Sequence, residues 1–306
     1  MVADVRAYVD RPITDAAAAT TVARLAAREW GLADPDVLRV GMNAIFVTGN
    51  EVLRVSAPTA PAATSLELAS FLADAGLRVP VPARDEVVVV GELSVTSWVR
   101  LEPVDTPVDW ADVGEMVRTV HSLDPSTLPD SVPLPTPSSF PWWDFDALLE
   151  RTMPLLDDLA YSALASTIER HRGWATLTSD ATSTIGGQVV CHGDVHPGNV
   201  VMTADGATLI DWDLLCWAPP GWDHAPMLTW ASRWGGDGHE YPAFASGYGR
   251  SLADDPAAVA VAELRLVAAT LMRLTAGLAD PVAMAEARRR LRYWRGDPDA
   301  PTWTAQ

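Results

Sequence analysis

The chain has 306 residues, of which 48% are apolar, so a packed protein with one large core or two modest ones is expected and disorder is excluded. Its 22 basic residues stand against 40 acidic ones, a formal net charge of -18. Such a surface repels phosphate backbones and anionic lipids, so neither nucleic acid nor a membrane is an expected partner, while a small cationic molecule is easier to accommodate.

Cys191 and Cys216 are the two cysteines. They make neither a disulfide scaffold nor a zinc pattern. The opening MVADVRAYVDRPITD lacks an apolar signal-peptide core. Reduced thiols and a cytoplasmic location are the expectation. No window approaches 18 uninterrupted apolar residues, so no membrane span is predicted.

In chain order, DAAAATTVARLAAREWGL predicts a helix with Val22, Leu25, Ala26 and Trp30 on one face and Asp15 as its cap. VLRVGMNAIFVTGNEVLRVSAP is rich in Val, Ile and Phe and reads as strand, turn, strand, with the turn at TGNE. Leu68, Phe71, Leu72 and Ala75 form a short helical stripe that Gly76 stops. EVVVVGELSVTSWVRLEP predicts two strands around Gly91 and Glu92. Beyond it, Val113, Met116, Val117 and Val120 mark a helix, and a proline-rich stretch marks a loop. FDALLERTMPLLDDLAYSALASTIERH is again helical. Short strands are predicted in GGQVVCHG and NVVMTADGATLIDWD, and the remainder is largely helical. Residues 1–102 thus read as a sheet-rich lobe and 103–306 as a helix-rich lobe.

The strongest signal is CHGDVHPGNVVMTADGATLIDWD. Asp194 is followed five positions later by Asn199, and Asp211 ends the next apolar strand, twelve positions after Asn199. A hairpin of this kind brings the loop from His192 to Asn199 beside Asp211. The logic is that of phosphoryl transfer, which needs positioning and charge neutralisation more than covalent help. Asp194 can orient an attacking hydroxyl and receive its proton. Asn199 and Asp211 offer hard oxygen ligands that suit Mg²⁺ and suit zinc poorly.

These residues resemble the aminoglycoside phosphotransferase and choline kinase family, which is related in fold to protein kinases. His192, Gly193, Asp194 and Asn199 match its catalytic stretch, Asp211 its metal-binding aspartate, and Asp223 in PGWDHA a downstream aspartate that braces the catalytic loop. The resemblance implies an α+β, bilobal, protein-kinase-like fold and an ATP- and Mg²⁺-dependent transferase acting on a small alcohol. It implies that His192 packs under the loop. It also implies a cation on the nucleotide phosphates, where Arg54 stands in place of the usual lysine, and a glutamate on the next helix to pair with it, Glu67. Asn43 beside Gly41 sits where a hairpin would cover the phosphates: it touches phosphate, or Gly41 simply permits the turn. Adenine would pair with backbone near Trp98, Val99 and Arg100.

Substrate identity would come from the helical lobe. Trp142, Trp143, Trp217, Trp222, Trp230 and Trp234 offer flat walls that can hold a cation, with Asp144, Asp213 and Asp237 as negative charges. Asp213 extends the metal site, accepts an amine or caps a turn. An amino sugar or aminoglycoside leads the acceptor classes. Choline-like amino alcohols, other antibiotics and GTP as donor stay open. The rivals are a non-catalytic nucleotide-binding scaffold and a protein kinase. The intact Asp194, Asn199 and Asp211 set argues against the first. The short run from LIDWD into LLCWAPPGWDHA, with no room for an activation segment, argues against the second.

Overall fold

The computed structural model describes residues 10–176 and 187–304. Most of the opening stretch MVADVRAYVDRPITD, expected to hold no signal-peptide core, lies outside them. The first helix, α1 (Ala16–Glu29), starts where Asp15 accepts the backbone N–H of Ala17 and Ala18, both at 2.9 Å. Five strands follow: β1 (Asp36–Val40), β2 (Ala44–Thr48), β3 (Glu51–Ser56), β4 (Val88–Val90) and β5 (Leu93–Val99). They form one antiparallel sheet in the order β1-β2-β3-β5-β4, with α2 (Ala63–Asp74) inserted after β3. The stretch read as two strands around TGNE is therefore three. A second corner at Gly41–Asn43 separates β1 from β2, closed by the Gly41 N–H on the Asn43 carbonyl at 2.9 Å.

Alternation decides which strand residues are buried. Phe46, Leu53, Val55 and Val95 point to the face on which α1 lies, and Ala19, Val22, Ala23, Ala26 and Ala27 meet them there. Small alanines let the helix approach closely, and Leu25 falls outside this face and is exposed. Burying each large side chain of this layer stabilises the lobe by about 1.5–3 kcal/mol.

The second half is mainly helical: α3 (Trp110–His121), α4 (Phe145–Thr152), α5 (Asp158–Arg170), α6 (Arg172–Thr176), α7 (Gly221–Trp234), α8 (Glu240–Tyr248), α9 (Pro256–Ala276) and α10 (Pro281–Trp294). The helices α3 and α8 touch backbone to backbone. A Cβ on Gly114 would meet the Phe244 carbonyl oxygen at 2.1 Å, and one on Gly247 the Ala111 oxygen at 1.8 Å. Two ribbons, β6 (Val189–Cys191) with β9 (Cys216–Ala218) and β7 (Val200–Thr203) with β8 (Gly206–Leu209), lie before α7. The short β9 carries no periodic signal of its own. It forms because Cys216 lies opposite Cys191 in register, both fully buried.

Aspartates at 109, 144, 157, 255 and 280 open α3, α4, α5, α9 and α10 as Asp15 opens α1, each accepting from backbone N–H groups. Part of the acidic composition is thus helix capping, about 1 kcal/mol per cap. Arg78, just after α2, joins the halves: its Nε donates to the Ala207 carbonyl at 2.7 Å and its guanidinium pairs with Asp112 of α3. No helix among the described residues is long and apolar enough to cross a membrane.

Candidate active site

A cavity of about 550 Å³ lies between the sheet and the ribbons. Its roof includes Leu38, Arg39, Asn43, Ile45 and Arg54, and its floor includes Asn199, Ile210, Asp211 and Asp213. The β7–β8 pairing builds that floor. Val200 faces Leu209, and the Ile210 N–H donates to the Asn199 carbonyl at 3.0 Å. Asn199 and Asp211 therefore leave the ribbon side by side.

The loop from His192 to Asn199 is held from beneath. The N–H groups of His192 and Gly193 both donate to the Asp223 carboxylate at 2.8 Å, and His121 Nε2 lies 3.1 Å from it. Burial alone would push the Asp223 carboxyl up, but the His121 contact, with its charge and that of His192, brings it below the usual range. Gly193 has φ 97°, and a Cβ there would meet the Leu214 carbonyl oxygen at 1.9 Å, so only glycine fits the HGD turn. His192 is fully buried. Its Nε2 faces the Ile210 carbonyl at 3.1 Å, its Nδ1 accepts the Asp194 N–H at 3.2 Å, and burial lowers its basicity. That environment makes it a support for the loop.

Asp194 projects from this loop. Its Oδ1 lies 2.5 Å from Arg265 Nη2, and its Oδ2 is 3.4 Å from both His196 Nε2 and Asn199 Nδ2. Burial pushes the carboxyl up, yet hydrogen bonding from His196 and the charge of Arg265 hold it far below the usual carboxylate range. Asn199 spends its Nδ2 on the Asp194 carbonyl at 2.9 Å, which leaves its side-chain oxygen for the cleft. Asp211 adopts a left-handed backbone, φ 66° and ψ 66°, the one non-glycine residue with positive φ among the described residues. Such strain tends to collect at functional positions. Its carboxylate opens onto the cavity, and its carboxyl is raised by enclosure in protein, with Asp194 adding to the effect and Arg54 opposing it.

Arg54 does not meet Glu67. Glu67 is exposed on α2 and accepts from the Ser131 hydroxyl. Arg54 instead grips Asp213 through both terminal nitrogens, with Nη1 to Oδ1 at 3.1 Å, and Asp10 at 2.6 Å. Burial raises the Asp10 carboxyl, and Arg54 and the nearby Asn43 amide oppose that rise. Beside the three roles open for Asp213, the geometry shows a fourth, partner to the arginine. Helix α2 turns Thr64, Leu68 and Ala69 toward the cavity, and Glu67 lies off that face. One guanidinium faces the carboxylates of Asp213, Asp10 and Asp211. The free Asn199 oxygen and the Asp211 carboxylate are hard donors of the kind Mg²⁺ takes.

Residues missed by sequence reasoning are Arg39, Asp10 and Arg265. Arg39 lines the cavity, acts electrostatically on Asp211, and has no ion pair of its own among the described residues. Asp10 lies too far from the motifs to be linked to them in one dimension. Arg265 is signalled only as a basic residue inside the apolar run of α9.

The tryptophans serve mostly each other. Trp143 and Trp222 are core residues. Trp142 stacks on Phe140 at 5.3 Å and carries Arg265 at 5.4 Å, and Trp230 lies between His196 and Trp234. Asp144 caps α4, and Asp237 is exposed beside His239. Trp98 spends its indole N–H on Thr96, while the N–H groups of Val99 and Arg100 donate to the carbonyls of Val81 and Asn50.

Solved structures share this fold. A thermostable mutant of the aminoglycoside phosphotransferase APH(4)-Ia superposes with a TM-score of 0.67 at 16% identity, over 92% of this chain and 100% of that one. Spectinomycin phosphotransferase APH(9)-Ia, in complex with ADP and spectinomycin, gives 0.60 at 16% identity, over 86% and 89%. Aminoglycoside phosphotransferase APH(3'')-Id from Streptomyces rimosus gives 0.58 at 20% identity, over 84% and 99%. The architecture is thus the kinase-like α+β one. No curated protein sequence matches the chain. The phosphotransferase enzyme family matches residues 42–299, which include Arg54, the HGD loop and Asp211. The chain belongs to the phosphotransferase enzyme family and is a small-molecule kinase.

Proposed function

We propose that the protein transfers the γ-phosphoryl group of ATP to a hydroxyl of a small molecule, with an aminoglycoside or amino sugar as the leading acceptor class. The observation that carries this is the cluster in which Asn199 and Asp211 line the cavity floor side by side while Asp194 Oδ2 lies 3.4 Å from Asn199 Nδ2. Asp194 orients the acceptor hydroxyl and takes its proton as transfer proceeds. Asn199 and Asp211 would hold Mg²⁺, which neutralises phosphate charge when bound. Arg54, fixed by two carboxylates, and Arg39, which has no ion pair among the described residues, present guanidinium groups to the phosphates.

For the base, the N–H of Leu101 is the donor left over. Val99 and Arg100 spend theirs on the carbonyls of Val81 and Asn50, whereas the Leu101 N–H meets no backbone carbonyl among the described residues. A donor here with the carbonyl of Val99 suits the edge of adenine, which accepts at N1 and donates at N6. Guanine presents the opposite pattern and would have to shift, although one relative is seen with GDP and kanamycin.

The relatives in complex with spectinomycin and kanamycin support an antibiotic-like acceptor. A choline-like acceptor is supported less. The indole faces of Trp142 and Trp230 that would hold its ammonium are already covered by Phe140, Arg265, His196 and Trp234. The test is an ATP- and GTP-consumption screen over amino sugars, aminoglycosides, other antibiotics and amino alcohols, with mass spectrometry to locate the added phosphate. Absence of phosphorylated product from every class, with either nucleotide and Mg²⁺, overturns the reading.

A further inference from the structure

We propose that Arg265 is a positioning residue for phosphoryl transfer, clamping one oxygen of Asp194 so that the other is presented to the acceptor hydroxyl. The proposal rests on the functional reading above and deepens it.

Arg265 is the basic residue in the middle of α9, and its side chain is 14% exposed. It grips the catalytic loop at two points. Nη2 meets Asp194 Oδ1 at 2.5 Å, and Nη1 donates to the Gly193 carbonyl at 3.0 Å. That same carbonyl receives the Trp222 indole N–H at 3.2 Å, so α7 and α9 anchor one backbone atom together. The guanidinium also lies over Trp142 at 5.4 Å and Trp222 at 5.3 Å. Two aromatic faces and two oxygens fix its plane, and a fixed plane fixes the carboxylate it holds.

The two oxygens of Asp194 are thereby unequal. Oδ1 is committed to Arg265. Oδ2 has only the longer 3.4 Å approaches of His196 and Asn199. A carboxylate on an unclamped loop would rotate about its side-chain torsions, and misplacing a reacting group by about 1 Å costs on the order of 10² in rate. The clamp also makes Asp194 a weaker base. That is tolerable here because the hydroxyl becomes acidic only as its oxygen bonds to phosphorus. The proton then passes from the hydroxyl to Oδ2 while the bond to the leaving ADP oxygen breaks.

A purely architectural Arg265 would neutralise a loop charge and do nothing more. The two roles differ in what they move. The groups acting on Asp194 are Arg265 from α9, His192, His196 and Asn199 from its own loop, and Asp211 from the turn after β8. Removing Arg265 leaves the others in place.

The experiment uses the full chain and compares wild type with Arg265→Gln and Arg265→Lys. MgATP affinity is measured by calorimetry. Single-turnover transfer to the acceptor found in the screen and the melting temperature are measured on the same samples. The expected result for Arg265→Gln is MgATP affinity within about twofold of wild type and transfer slower by about 10–100-fold. Arg265→Lys should recover part of the rate, because one charged donor survives. Wild-type transfer in Arg265→Gln overturns the proposal. So does a rate loss matched by equal losses of MgATP affinity and melting temperature that Arg265→Lys does not relieve. A wild type inert toward MgATP with every acceptor instead brings down the functional reading on which the proposal stands.

Discussion

Arg54 reaches across the cleft from β3 to Asp213, two residues beyond the strained Asp211, and holds it through both terminal nitrogens. The pair ties the roof of the nucleotide cavity to its floor. Asp10 closes it from the N-terminal side, with its carboxylate 2.6 Å from the same arginine.

This geometry separates Arg54 from Glu67. Arg54→Ala should abolish efficient ATP use and also destabilise the fold, by about 3–5 kcal/mol, because it leaves buried carboxylates without their partner. Glu67→Ala should leave both the ATP KM and the melting temperature close to wild type. Calorimetric melting and steady-state kinetics on the two variants check this, and a Glu67→Ala variant as impaired as Arg54→Ala would contradict the observed pairing.

Arg39 gives the converse case. It lines the cavity on the exposed strand β1 and lacks an ion pair among the described residues. Arg39→Ala should raise the ATP KM by roughly 5–20-fold, a charge-assisted contact of about 1–2 kcal/mol, while stability changes little. An unchanged KM would return Arg39 to the solvent.

Asp194 and Asp211 should divide chemistry from binding. Asp194→Asn keeps the shape and loses the proton acceptor, so MgATP affinity should persist while kcat falls by about 10²–10⁴. Asp211→Asn should instead weaken the Mg²⁺ dependence itself, displacing the Mg²⁺ titration of nucleotide binding to higher concentration. Parent-rate single turnovers in Asp194→Asn, or an unmoved Mg²⁺ titration in Asp211→Asn, would count against the respective role.

Stability should fall on mild acidification, and His224 carries part of the reason. It is buried among Tyr241, Phe244 and Tyr248, and burial, aided by His121, depresses its pKa from 6.5 to about 3. Between those values the unfolded chain binds a proton that the folded chain refuses. The contribution is therefore complete above about pH 6.5 and is lost as pH drops, by roughly 2 kcal/mol at pH 5. Urea midpoints at pH 7.5 and 5 should differ less in His224→Gln than in wild type. Equal differences would remove His224 from the account.

The spacing of Asp194, Asn199 and Asp211 was legible because a hairpin turns fixed separation into proximity. Asp15 and Gly76 were legible because capping and stopping are local events. The Arg54 partner was not, since Asp10 and Asp213 approach it from 44 and 159 residues away and only the tertiary fold sets that approach. The choice of arginine in place of lysine carries little local meaning, because all 22 basic residues of the chain are arginines. The acidic excess read as a welcome for cationic substrates is partly spent on helix caps. The tryptophans expected as open walls are filled by one another, because large aromatic surfaces bury themselves whenever a partner lies within reach.

Cys191 and Cys216 face each other where β6 meets β9, directly beneath His192, and burial raises both thiols well above their ordinary range. At neutral pH they are protonated and shielded, hence inert to alkylation. A thiol reagent can reach them only when the ribbon under the catalytic loop opens. The chain thus carries a built-in clock for breathing of its own active-site floor, read by the rate of label uptake under native conditions.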